Sequence, residues 1–408
     1  MSRIGLMSKA MQVVNDSMVS ILSELNEEGF ILPYFKNSNF EASRQIGDGT
    51  EGGLVGKSSR KIFILLDGLG YNLLERVTAK AQELKKSMVK FENKKVTTLF
   101  PSTTINILSS IYGGITPAEH GLVGTNLFIK EAGVIINSLY MTSAMDPMGP
   151  KLKINPMDLY PKGKLISNIK TRNKKVISLM PKHVVGSGLC TTTLGTADMI
   201  PYVTFDDMLT KITKLMNTDN VDYVVAYYDA LDTMEHQYDP TSLEVEQSVY
   251  TMMQSISNVL LGPAKENGFN IVITSDHGHV KVTQEDNSIF TPKSELNNFL
   301  EVPIWGEPRA AFLAVKENRF DSFERYFEKN LLKIGKLVNT DDAIKAGLFG
   351  SSKINKDIRY RFGTHIIIPR ENKCIQYLFP GMEEKPFKSK GRHGGMASDE
   401  MYVPLLVY

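Results

Sequence analysis

Residues 269–280 read FNIVITSDHGHV, an apolar run that ends in a carboxylate and an imidazole side by side, Asp276 and His277. A segment with so few polar residues is suited to burial on both faces, the situation of a parallel sheet covered by helices on either side. The same kind of run recurs at 61–67 (KIFILLD), 94–100 (KKVTTLF), 174–180 (KKVISLM) and 221–229 (VDYVVAYYD), and near the end as RAAFLAV, THIIIP and VPLLVY. Between these runs lie helical patterns at 72–86, 104–112, 204–216, 243–261 and 320–332. Strands alternating with helices predict an α/β fold, a three-layer α/β/α sandwich around a mostly parallel central sheet.

A chain of 408 residues with 42% hydrophobic and 23% charged residues has enough material for one large α/β domain or two ordinary ones. The division expected here is an N-terminal helix and lead-in over 1–58, then one catalytic domain over 59–408, with 280–390 an elaboration or cap within it. Met11, Val14, Met18, Ile21, Leu22 and Leu25 recur at helical spacing and predict an amphipathic packing helix. Residues 40–60, rich in Gly and Ser, read as a loop before the first core strand. Cys190 and Cys374 are the only cysteines, too few for a disulfide framework or a Cys-rich zinc site. The absence of a signal-peptide pattern or a membrane-length apolar run predicts a cytoplasmic protein without a membrane partner. Net charge is +2, and the lysine runs ELKKSMVKFENKK and KTRNKK lack aromatic interleaving, which argues against nucleic acid as a partner.

In open α/β sheets, ligands sit outside the carboxyl ends of the strands, and there the chemistry-bearing residues collect. Asp67 ends KIFILLD and is followed by Gly-Leu-Gly; Asp276 and His277 end FNIVITSD. YYDALDTMEHQYD places Asp232 and His236 four apart, on one face of a helical turn, where a single ion can take both. His393 lies in the glycine-rich GRHGGMASDEMYVPLLVY. Carboxylates and imidazoles gathered at one edge suit Zn²⁺ or Mn²⁺. Without a cation, so many carboxylates would repel one another and be costly to desolvate.

A hydroxyl nucleophile fits the same edge. In TLFPSTTINILSSIYGGITPAEHGLVGTN (98–126), Pro101 breaks the strand, Ser102, Thr103 and Thr104 are N-cap residue types, and INILSSIY continues as a helix. The free N–H groups of a helix N-terminus are a natural phosphate site.

The order of these elements resembles the alkaline phosphatase superfamily, and within it the type I phosphodiesterase/nucleotide pyrophosphatase family, in a microbial branch. The order is Asp after the first strand, Thr at a helix start followed by G-x-T-P-x-x-H-G, then D-x-x-x-H, S-D-H-G and a late H-G. The matching motifs run from Asp67 to His393. The resemblance implies an alkaline-phosphatase-like fold and two divalent metal ions, zinc or manganese. Asp232, His236 and His393 correspond to the ligands beside the attacking water, and Asp67, Asp276 and His277, with Thr104, to those of the other ion. Counting back ten positions from Gly114 selects Thr104 over Thr103 and Ser102 as the nucleophile. His279 is assigned to support rather than ligation, and His120 to holding the loop after the nucleophile helix. Asn126 and Tyr227 are the expected substrate contacts, on the phosphate and in the leaving-group pocket. The family's nucleotide-cleaving members follow the threonine with Phe-Pro, where this chain has Ile105-Asn106; their phosphate-contacting asparagine aligns with Thr125, one residue before Asn126.

The implied reaction is hydrolysis of a phosphodiester or pyrophosphate by two in-line displacements through a phosphothreonine. The substrate is a small phosphorylated molecule, a nucleotide among the candidates. Alternatives at the same site are phosphomonoester or phosphonate hydrolysis and phosphomutase chemistry. A sulfatase would need a Cys or Ser in a C/S-x-P-x-R setting, which the Ser102–Thr104 segment lacks. A noncatalytic, metal-stabilised binding protein is the alternative from another class.

Overall fold

The computed structural model describes residues 21–408 apart from 51–52, 196, 352, 381 and 383–387. Its main sheet has seven strands in the spatial order Glu92–Thr97, Tyr402–Val407, Phe269–Thr274, Arg60–Leu66, Tyr223–Tyr228, Val176–Pro181, Asp198–Tyr202. Among them only Tyr402–Val407 runs against its neighbours. Alternation along Arg60–Leu66 explains the three layers. Ile62, Ile64 and Leu66 pack with helices Tyr71–Lys80, Phe205–Met216 and Leu243–Glu266, while Phe63 and Leu65 pack on the other face with Asn39–Asp48, Thr104–Gly113 and Lys164–Thr171. The α/β sandwich expected from the runs is therefore present, with a carboxyl edge shared by the four strands that precede Asp67, Thr98, Asp229 and Asp276.

A second seven-stranded sheet is antiparallel throughout, in the order Gly335–Asn339, His365–Pro369, Ala310–Leu313, Trp305–Glu307, Asn126–Ile129, Val134–Asn137, Thr142–Ser143. Four of its strands come from within 280–390 and three from the segment after the helix Thr104–Gly113. The region 280–390 thus extends a sheet begun at Asn126, and Phe312, Ile366 and Ile368 join the same core cluster as Phe63.

Local readings are corrected at two places. Half of the loop expected over 40–60 is the helix Asn39–Asp48, capped by the Ser38 hydroxyl accepting from Glu41 N–H and closed by Gly49 in the left-handed region at φ 72°. Its glycine and serine do not break it because Phe40, Ala42, Ser43, Ile46 and Gly47 face the interior, and Gly47 lies against Leu165 where a Cβ would approach to 3.3 Å. The helix expected over 72–86 is two, Tyr71–Lys80 and Gln82–Met88, separated by Ala81 in an extended conformation. Residues 21–27 are helical, with Leu25 buried; Met11, Val14 and Met18 lie outside the described residues. Among the described residues no helix is long and apolar enough to cross a membrane.

Candidate metal centre

Strand register delivers the first carboxylates. Leu65 pairs with Thr274 and Leu66 with Tyr228, so Asp67 and Asp276, each two residues past Leu65 and Thr274, emerge level at the carboxyl edge. Gly68, at φ 87°, turns the chain under them and donates its N–H to Asp276 Oδ1 at 3.2 Å. The helix Ala230–Tyr238 starts beyond Tyr223–Tyr228 and carries Asp232 and His236. His393 comes from the other end of the chain. Its Nδ1 lies 3.1 Å from Ser102 O, while the Ser102 hydroxyl donates to Gly395 O at 2.8 Å and accepts from Gly394 N–H at 3.2 Å. That lacing ties the His393 loop to the start of the helix Thr104–Gly113.

Six side chains distant in sequence therefore converge. His236 Nε2 is 3.4 Å and His393 Nε2 3.7 Å from Asp232 Oδ1. His277 Nε2 is 3.5 Å from Asp67 Oδ1 and 3.3 Å from Asp276 Oδ2. The rings of His277 and His393 stack at 3.8 Å, so the two halves are contiguous. Two groups have ligand atoms all within 4.8 Å of one another: Asp232, His236, His279 and His393, and Asp67, Asp232 and His277. His279, expected as support, lies as close as the expected ligands, with Nε2 3.1 Å from Asp232 Oδ1.

The electrostatics are those of a cation site. Asp67 Oδ1, Asp232 Oδ1 and Asp276 Oδ2 are buried without a hydrogen-bond partner. Burial, then the Asp276 and Asp232 charges, pushes the Asp67 carboxyl well above its ordinary range. Burial holds His236 down to about 4 and also lowers His277 and His393, leaving neutral imidazoles suited to ligation. Asp232 goes the other way. Burial would raise it, but the imidazoles of His236, His279 and His393 hold it well below the usual range. Hard oxygens and neutral Nε2 atoms aimed at one volume fit a divalent ion such as zinc or manganese.

Of the three neighbouring hydroxyls only one faces this cluster. Ser102 is engaged with the His393 loop, and Thr103 Oγ1 donates to Glu307 Oε1 at 2.8 Å. Thr104 Oγ1 lies 3.2 Å from His277 Nε2, at the first residue of its helix. A cavity of about 400 Å³ opens on Asp67, Thr104, Tyr227 and Asp232. Its walls come from Leu139–Met141, Lys151 and 183–189, none of them from 280–390.

Two expected contacts fall differently. Asn126 does not line this cavity; it lines a separate one with Trp305 and Gln376. Successive residues of an extended chain face opposite ways, and the neighbouring Thr125 donates its N–H to Glu307 Oε1, which also accepts from Thr103 beside Thr104. Tyr227 does line the cavity, but its hydroxyl donates to Asp67 Oδ2. His120 ties the turn behind the helix: Nδ1 accepts Leu122 N–H at 3.0 Å and Nε2 lies 2.9 Å from Ser110 Oγ. Burial lowers it to about 3. Sequence reasoning missed Glu235, Glu307 and Asn39. Asn39 donates to Ser275 O at 2.7 Å and so braces the strand that carries Asp276; its one signal is the S-x-x-E start at Ser38.

The fold and the motif order have counterparts. Murine ectonucleotide pyrophosphatase/phosphodiesterase 5 is similar at 15% identity, with a TM-score of 0.62 over 86% of this chain and 88% of that one. Its human counterpart is 17% identical, with a TM-score of 0.61 over 85% and 87%. Phosphonoacetate hydrolase from Sinorhizobium meliloti 1021, solved in complex with phosphonoacetate, is 17% identical, with a TM-score of 0.62 over 85% and 89%. No curated protein matches in sequence. The model of the type I phosphodiesterase/nucleotide pyrophosphatase family matches residues 61–396, the span that contains every residue of the centre. The chain belongs to that family, within the alkaline phosphatase superfamily, and is a phosphoric ester hydrolase.

Proposed function

We propose that this chain hydrolyses phosphodiester or pyrophosphate bonds through a phosphothreonine on Thr104, at a centre for two divalent cations, zinc or manganese. Asp232, His236 and His393 would hold one; Asp67, Asp276, His277 and the Thr104 hydroxyl would hold the other. Bound there, such ions stabilise entering and departing oxygens and lower the pKa of a hydroxyl or water. The observation that carries the reading is that Thr104 alone of three adjacent hydroxyls is turned toward the cluster, 3.2 Å from His277 Nε2. An inactive threonine-to-alanine form of the murine relative, solved with AMP, supports a threonine in that role.

Thr104 Oγ1 attacks phosphorus in line with the ester oxygen that leaves, and the bond to that oxygen breaks as the Thr104 ester forms. The leaving group departs into the cavity walled by Leu139, Tyr140 and Leu189. Backbone N–H groups at the helix start, at Ile105 and Asn106, face the equatorial oxygens, the role expected of Asn126. Water then attacks from the vacated side, which releases the phosphoryl product and restores the Thr104 hydroxyl. Thr104→Ala should abolish turnover of bis-p-nitrophenyl phosphate and leave bound metal unchanged, and acid-quenched wild type should carry phosphate on the peptide holding Thr104. Turnover at the wild-type rate in that variant rules the nucleophile out.

Phosphonate hydrolysis is the second reading. It is favoured by Ile105, which stands where nucleotide-cleaving members have a base-stacking phenylalanine, and by the likeness to phosphonoacetate hydrolase. The rates on bis-p-nitrophenyl phosphate, p-nitrophenyl phosphate and phosphonoacetate separate diester, monoester and phosphonate preference.

A further inference from the structure

Thr103 is the N-cap of the helix Thr104–Gly113, with the extended backbone of a cap (φ −137°, ψ 144°), yet its side chain makes no capping bond to that helix. A capping threonine accepts from the second or third helical N–H, here Ile105 or Asn106. Instead the hydroxyl is turned away and donates to Glu307 Oε1 at 2.8 Å. Nearby carbonyls do not take over. Pro101 O, four residues before Ile105, accepts Thr103 N–H at 2.9 Å and Asn106 Nδ2 at 2.7 Å. Ser102 O, four before Asn106, lies 3.1 Å from His393 Nδ1. The acceptors that would otherwise serve the first turn are thus engaged elsewhere. This happens beside the metal centre: Thr104 Oγ1 lies 3.2 Å from His277 Nε2, and the buried, unpartnered Asp67 Oδ1 and Asp276 Oδ2 lie 3.5 and 3.3 Å from the same atom.

Glu307 is placed for this by its own segment, which reads GEPR over 306–309. A Cβ on Gly124 would come within 2.6 Å of Gly306 Cα, so the two chains touch and Thr125 N–H reaches Glu307 Oε1. From the other side, a Cβ on Gly394 would come within 2.7 Å of Glu307 Cβ, so the glycine after His393 makes room for the buried carboxylate. One oxygen therefore holds both the turn before the helix and the segment after it.

We propose that Glu307 is a positioning residue that withholds the Thr103 hydroxyl from its own helix and so keeps the Ile105 and Asn106 N–H groups open to the phosphoryl oxygens. It touches neither substrate nor reacting atoms and acts through Thr103. This inference rests on the phosphothreonine reading above.

The test is turnover of bis-p-nitrophenyl phosphate per zinc-loaded molecule. Glu307→Ala frees Thr103 to cap, and kcat/KM should fall about 100-fold, the low end of the loss when a donor to developing charge is removed. Adding Thr103→Val, which keeps the shape and cannot cap, should recover about tenfold or more of that loss. Thr103→Val alone should cost much less than Glu307→Ala. Zinc uptake, titrated against a chromophoric chelator on the full chain stripped of metal, should be unchanged in all three. A merely structural role for Glu307 predicts a lower melting temperature and no recovery in the double variant, because valine restores no bond. That absence of recovery overturns the proposal. So does Glu307→Ala at the wild-type kcat/KM, or Thr103→Val alone falling as far as Glu307→Ala. Should Glu307→Ala fail to fold, a crystal structure of the zinc-loaded wild type with orthovanadate decides. Ile105 and Asn106 N–H groups on vanadate oxygens, with Thr103 still on Glu307, support the proposal; N–H groups capped by Thr103 or turned from the vanadate overturn it. Wild type that carries no phosphate on Thr104 after acid quench brings down the phosphothreonine reading itself, and this inference with it.

Discussion

Arg309 and Glu400 are as deeply buried as the carboxylates of the metal centre, and every charge between them is answered. Arg309 Nε and Nη2 reach the two Glu400 oxygens at 2.8 Å each, and Nη1 reaches Lys373 O at 2.7 Å. The same two Glu400 oxygens accept Gly395 and Ala397 N–H at 2.9 and 3.0 Å. At the carboxyl edge of the main sheet, Asp67, Asp232 and Asp276 each keep a buried oxygen with no donor. A buried charge is tolerated when its partners are complete and is expensive otherwise. The first cluster is complete within the chain and holds the loop that bears His393; the second is a donor set that a divalent cation would complete. The two differ in what they need, and each can be broken separately.

The largest effect should come from the incomplete cluster. Stripping metal with a chelator, or Asp232→Ala, should remove measurable turnover. Metal at about 1,000 times its dissociation constant stabilises a fold that alone binds it by about 4 kcal/mol. The melting temperature of wild type should therefore fall on stripping, while that of Asp232→Ala should be insensitive to the same chelator. Equal sensitivity in both would show that Asp232 holds no ion.

Breaking the complete cluster should cost stability first. Arg309→Met leaves Glu400 buried and unanswered, with an expected loss of about 3–5 kcal/mol in denaturant unfolding. Adding Glu400→Leu in the same protein should recover most of that loss. If the double variant regains stability but binds zinc more weakly, the clamp on Gly395 and Ala397 also serves His393. If it binds normally, Ser102 alone positions that loop.

The incomplete cluster also responds to pH, through groups of opposite sign. Burial depresses His236, His277 and His393 from 6.5, His236 to about 4. In the metal-free protein these rings stay neutral while their unfolded counterparts take up protons. The unfolded chain then binds more protons below 6.5, so stability should fall as pH drops below 6.5, by up to about 1.4 kcal/mol per pH unit for His236 until its folded value near 4 is reached. Asp67 has the opposite sign: its raised carboxyl gives stability that is full below the unfolded value and is lost as pH rises through the folded one. Denaturant midpoints in chelator from pH 7 to 4 measure the balance. A profile that stays flat in Asp67→Asn as well, where the opposing carboxyl is gone, would mean that the imidazoles are already open to solvent.

Much of this was legible in the sequence because it is local. A strand that is buried on both faces and ends in a carboxylate must put that carboxylate at the sheet edge, and parallel register puts all such ends at one edge. Asp67, Asp232, His236, Asp276, His277 and His393 follow from that rule and from motif order. What escaped depends on contacts between segments far apart. The Asn39–Asp48 helix shows Gly and Ser to a reader, and its buried face only to the Lys164–Thr171 helix it packs on. Glu235 is one more acidic residue on a helix until His279, from the loop after Phe269–Thr274, meets it at 3.0 Å. The spacing to Gly114 already selects Thr104; what escaped is the reason its neighbours turn away, because Gly395 and Glu307, which engage Ser102 and Thr103, lie about two hundred or more residues off. One residue of strand phase separates Thr125 from Asn126, and single-residue phase is what apolar patterning defines least well at a strand's first position.

Tyr227 gives the smallest and sharpest comparison, because it touches the incomplete cluster from the chain's own side. Its hydroxyl donates to Asp67 Oδ2, which leaves Asp67 Oδ1, the oxygen nearer His277, as the one without a partner. A leaving-group contact and a support for Asp67 predict different losses in Tyr227→Phe, which keeps the ring and removes one donor. If the ring's role is to line the cavity, the variant should behave as wild type toward a diester with an aromatic leaving group. If the hydroxyl orients Asp67, one hydrogen bond to a charged group is lost, worth about 1–2 kcal/mol, or about tenfold in affinity for the ion held by Asp67, Asp276 and His277. That loss should appear in the zinc titration, and raising zinc should restore turnover with KM unchanged. A raised KM at saturating zinc would instead assign the hydroxyl to the substrate, and Asp67 would then owe its orientation to Gly68 and the strand end alone.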